Sequence, residues 1–60
     1  MTDMEKLRCA ERELKMRQWV YPRWIAAQRI SASKAAHEID CMKAIVADYR
    51  KICSEQLELL

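Results

Sequence analysis

The residue types best suited to recognition chemistry crowd into one stretch: Trp19, Val20, Tyr21, Pro22, Arg23 and Trp24. Trp, Tyr and Arg dominate binding hot spots because each joins a large contact area to a polar or charged tip. Trp19, Tyr21, Arg23 and Trp24 are therefore candidates for a partner site. The chain has no Phe, so the same rings could also form the core at the closed end of a helical hairpin, with Arg23 stacked on one of them. Core or self-interface is the preferred reading of the cluster.

Other reactive groups are sparse. His37 and Cys41 stand one helical turn apart and could supply two metal ligands, but a stable zinc site needs three or four, and none joins them at ligand spacing. Cys9, Cys41 and Cys53 are odd in number and lack the short spacing of a zinc knuckle or redox pair, so they read as reduced thiols with packing roles. A nucleophilic cysteine would need a base and a concave pocket, for which a small hairpin has little room. The chain is expected to be no enzyme and to hold no cofactor or metal.

Charge offers a different chemistry. Residues 1–30 carry Lys6, Arg8, Arg12, Lys15, Arg17, Arg23 and Arg29 against Asp3, Glu5, Glu11 and Glu13, whereas residues 31–60 are slightly acidic. Lys and Arg with nearby aromatics suit phosphate contacts and base stacking. The interleaved Glu5, Glu11 and Glu13 weaken that reading, since a mixed-charge helix face is usually just solvated.

The elements that must position these groups are helical. Sixty residues without Gly and with a single Pro, rich in Ala, Leu, Lys, Arg, Glu and Met, predict an all-α chain of one folding unit. From Ala32 onward, Ala35, Ile39, Met42, Val46, Tyr49, Cys53, Gln56 and Leu60 alternate by three and four, a heptad seam that predicts one long helix. Thr2 and Glu5 form a capping box opening the first helix near Asp3. Met4, Leu7, Leu14, Tyr21 and Ile25 repeat along its inner face, with Ala10 beside them and Glu11 and Gln18 interrupting.

Pro22 must kink or break this first arm, since its ring removes a donor and crowds the preceding turn. The preferred outcome is a restart, with a short separate helix from Pro22 to about Gln28. Ser31 caps the second arm and the turn falls at Gln28–Ser31. The expected fold is an antiparallel helical hairpin of two or three helices in which positions summing to about 61 lie level, placing Leu14 near Val46 and Glu11 near Arg50.

Two apolar lines are left over. Ile45, Ile52 and Leu59 run beside the seam of the second arm, and Cys9, Met16 and Val20 lie away from it on the first. A chain this short buries only about 60% of its unfolded surface, so these lines predict a homodimer forming a helical bundle, with Ile45, Ile52 and Leu59 at the contact. The charged first twenty residues lack the apolar centre of a secretory signal, and no membrane association is expected.

The strings ELKMRQWVYPRWI at residues 13–25 and KAAHEIDCMKAIVADYR at residues 34–50 carry a resemblance. They are similar to a family of short phage- and prophage-encoded proteins, including the small open reading frames of the exo-xis region of lambdoid phages. The resemblance spans about three quarters of the chain and rests on Val20, Tyr21, Pro22, Arg23, Trp24, Ile39, Met42, Ile45 and Val46. Members of that family tend to carry Gly where Gln28 stands. The resemblance implies a non-enzymatic early protein in the host bacterial cytoplasm, modulating host physiology or the lysis–lysogeny decision by binding an unidentified host or phage protein. A small nucleic-acid-binding regulator using the basic first arm is the alternative.

Overall fold

Thr2, in extended conformation, accepts a hydrogen bond from the Glu5 amide on its Oγ1 at 3.1 Å and so satisfies one of the free donors of a helix start. Helix α1 follows over Asp3–Ala26 and helix α2 over Ala32–Glu58. The computed structural model describes the backbone of residues 1–58 and the side chains of residues 1–57; Leu59 and Leu60, expected on the dimer line and the seam, lie outside the described residues. Among the described residues there is no strand. The two helices pack on each other as a hairpin with principal dimensions of 48 × 16 × 14 Å.

The three-helix expectation is corrected: α1 runs through Pro22 without a break and contains it. The carbonyl that loses its donor is that of Gln18, an exposed residue, and Pro22 itself is exposed. Side-chain pairs at helical spacing span the proline. Arg23 lies over the Trp19 ring, with Cζ 4.3 Å from its centroid, and Tyr21 stacks on Trp24 at 5.5 Å. Both pairs exist only if the helix continues, and continuation avoids the cost of a second nucleation.

The turn is built on an unexpected backbone. The Gln28 amide donates to the Ile25 carbonyl at 3.0 Å and the Arg29 amide to the Trp24 carbonyl at 2.8 Å. This is a Schellman ending, which requires a left-handed residue at its centre. Gln28 fills that position with φ 60°, where Gly is ordinarily favoured. Helix α2 then opens as expected: Ser31 Oγ accepts from the Lys34 amide at 3.1 Å and its carbonyl from the Ala35 amide at 3.0 Å.

The seam forms the core. Leu7, Ala10, Met42, Val46 and Cys53 make one buried cluster, with Leu14 and Tyr49 packed against it and Ala35 also buried. Arg50 Nη2 donates to Glu11 Oε2 at 3.0 Å, the pair expected across the antiparallel hairpin. Gln56, the polar interruption of α2, donates to Asp3 at 2.7 Å. Leu7, Met42 and Val46 each contribute roughly 1.5–3 kcal/mol by burial, against an ordering cost of about 1–2 kcal/mol per residue for the backbone alone. Such a core leaves room for further burial by association.

Candidate functional site

The aromatic cluster divides into two pairs. Trp19 is 66% exposed and points outward with Arg23 over its ring, whereas Trp24 is 40% exposed and stacks on the half-buried Tyr21. Within the single chain, only Tyr21 of these rings is half-buried. At 3.6 residues per turn Trp19 falls on the side of α1 away from Leu7 and Leu14, whereas Tyr21 shares their inner face. The stacking of Arg23 on a ring agrees with the expectation.

Arg17 organises the flank beside Trp24. Its Nε donates to Glu13 Oε1 at 3.0 Å, and its Nη1 donates to the Glu38 main-chain carbonyl at 2.9 Å and lies 3.7 Å from Glu38 Oε2. The guanidinium thus ties α1 to the first half of α2. The hydrogen bond with Glu13 holds the Arg17 pKa above its ordinary value against the opposing effect of burial, aided by the charges of Tyr21, Glu13 and Glu38. Lys6 lies along the same flank, 6.0 Å from the Tyr49 ring centroid. Sequence reasoning missed this clamp. The four-residue spacing of Glu13 and Arg17 was the visible half of it.

The leftover apolar line of α2 lies on this flank, and that of α1 lies further round, toward the side opposite the seam. Ile45 and Ile52 lie about 20–40° further from the seam than Glu38 on α2, whereas Val20, Cys9 and Met16 lie about 60–100° beyond Arg17, toward the back of α1. Ile45 is 40% exposed and Ile52 37%; Cys9, Met16 and Cys41 are exposed, and Val20 is partly buried. Leu59, the third residue of the α2 line, lies outside the described residues. Leu57, which sequence reasoning did not single out, is also exposed.

Of the reactive residues, Cys53 is buried in the core, Cys9 and Cys41 are free and exposed, and His37 is exposed. Among the described residues no group of three His, Cys, Asp or Glu side chains could hold a metal ion. No described helix is long and apolar enough to cross a membrane. The surface concavities are shallow dents, one at the turn beside Ile25, Gln28 and Ile30, another along Arg8, Glu11, Arg12 and Lys15. In comparisons with known proteins the chain matches no family model, no curated protein and no solved structure.

Proposed function

We propose that the chain is a non-enzymatic interaction module that completes its fold as a two-fold symmetric homodimer, a helical bundle in which Ile45 and Ile52 meet the partner copy. The carrying observation is that Ile45 and Ile52 on α2 and Met16 on α1 stay exposed although apolar, while the buried core is small. A self-complementary patch of this kind suits an isologous contact. The charged groups between the lines, Arg17 with Glu13 and Glu38, already bond one another and can be covered without stranding a lone charge.

Surface area supports the reading. The hairpin exposes 4847 Å², whereas a compact protein of 7.1 kDa exposes about 4100 Å². The excess approaches the roughly 800 Å² that each partner buries in a stable interface. A folded state linked to association has a thermal midpoint that rises with protein concentration. That rise is expected for the wild type and for His37→Glu, and is expected to vanish in Ile45→Glu. A concentration-independent midpoint in the wild type would remove the homodimer.

The biological setting proposed is that of an early accessory protein in the cytoplasm of an infected bacterium, acting on host physiology or the lysis–lysogeny decision by protein contact. Its support is the resemblance of residues 13–25 and 34–50 to short phage and prophage proteins. Expression from a plasmid before phage infection is expected to shift the fraction of cells that become lysogens or the yield of phage. Unchanged fractions and yields at confirmed expression would contradict this setting and leave the dimer untouched.

A further inference from the structure

Along the outer side of α1, Arg8, Arg12, Lys15, Trp19 and Arg23 follow one another at four- and three-residue steps, all of them exposed. The line is about 22 Å long at 1.5 Å per residue. Its cations were discounted in the sequence because glutamates interleave with them, but the structure pairs Glu11 and Glu13 with arginines off the ridge. Glu11 is bonded to Arg50 of α2 and Glu13 to Arg17, on the two flanks of the seam. Glu11 still borders the ridge beside Arg8, Arg12 and Lys15, its carboxylate held by Arg50, and Glu5 lies beside Arg8 and Arg12 at the N-terminal end. Among the described residues Arg8, Arg12 and Lys15 enter no ion pair, so their charge is not spent within the fold.

We propose that this ridge is a binding site for single-stranded nucleic acid, its cations on successive phosphates and Trp19 stacked on a base. An unpaired cationic row alone would suit any polyanion. The indole in the middle of the row decides between them. A flat ring, 66% exposed and with Arg23 at 4.3 Å from its centroid, matches a ligand that offers ring faces between its charges. Single strands do so, whereas a duplex keeps its base faces covered and an acidic polypeptide has none. The ridge lies on the far side of α1 from the seam and away from Ile45 and Ile52, and borders the line of Cys9, Met16 and Val20.

The test is fluorescence anisotropy of a labelled, mixed-sequence single-stranded oligonucleotide titrated with the full chain at several salt concentrations, alongside a duplex of equal length and poly-glutamate. Binding to the single strand is expected to fall with a log–log salt slope of about −3, the value for four phosphate contacts. Arg12→Ala should lessen the slope by about 0.7. Trp19→Ala should weaken binding roughly 5- to 100-fold, while Lys51→Ala, on the outer side of α2, leaves it unchanged. Circular dichroism of each variant would verify that these exposed changes preserve the helices. No anisotropy change at low salt, a duplex or poly-glutamate bound as tightly as the single strand, or a Trp19→Ala variant equal to wild type would each overturn the proposal.

Discussion

At Gln28 the chain uses a side chain where the backbone asks for none. A non-Gly residue in the left-handed region suffers a clash between Cβ and the following carbonyl of about 1–2 kcal/mol, and Gln28 sits there with φ 60° because the Schellman bonds of the turn require it. Replacing it with Gly removes the clash but loosens the unfolded chain by about 0.4–1 kcal/mol. Gln28→Gly is therefore expected to stabilise the protein by about 0.5–1 kcal/mol, read as a higher urea midpoint at unchanged slope. A lower midpoint would show that Gln28 contributes something the turn geometry does not reveal. Arg17 is the opposite case, a residue whose loss is costly. Arg17→Met deletes its bonds to Glu13 and to the Glu38 carbonyl and is expected to cost about 1.5–3 kcal/mol, the range for hydrogen bonds to charged groups. Arg17→Lys should recover only part, because one ammonium cannot reproduce the forked geometry. The raised Arg17 pKa contributes stability that is complete below its unfolded value and is lost only as pH rises through the still higher folded one. Both lie far above neutrality, so titration of Arg17 itself adds no pH dependence near neutral pH; a neutral-range loss of stability that disappears in Arg17→Met would contradict this.

At the scale of the element, Pro22 separates what was legible in the sequence from what was not. The heptad seam foretold Ala35, Met42, Val46 and Cys53 as buried, Thr2 and Ser31 as caps, and Arg50 as the partner of Glu11. Each follows from spacing or from a local hydrogen bond, and both are written in the order of residues. Continuation of α1 through Pro22 was not legible. A single proline is a strong local breaker, and its effect is offset here by the pairs Trp19 with Arg23 and Tyr21 with Trp24, whose geometry appears only once the helix is assumed. The reach of Arg17 to Glu38 was similarly hidden, since helix spacing within α1 does not say which group across the seam an arginine will choose. Because Pro22 occupies a helix interior, Pro22→Ala should restore the bond to the Gln18 carbonyl and raise stability by about 1–3 kcal/mol, with a matching gain in the helical circular dichroism signal. Unchanged stability would mean that the helix is already interrupted at that point in solution.

For the whole molecule the balance is between a slender core and a large exposed surface. Val46 is 2% exposed and sits in a cluster of five buried residues, while Ile45 and Ile52 on the same helix remain more than a third exposed. Covering a fully exposed side chain of that size contributes roughly 1.5–3 kcal/mol, so several such residues from two copies amount to a sizeable share of the 5–15 kcal/mol typical of a whole domain. In the proposed dimer, folding and self-association are a single event. Sedimentation equilibrium at micromolar concentration tests this most directly. The wild type and His37→Glu are expected at twice the mass of the chain, and Ile52→Glu at the monomer mass with reduced helicity. A folded wild-type monomer, or an Ile52→Glu variant that remains a dimer as stable as the wild type, would contradict it.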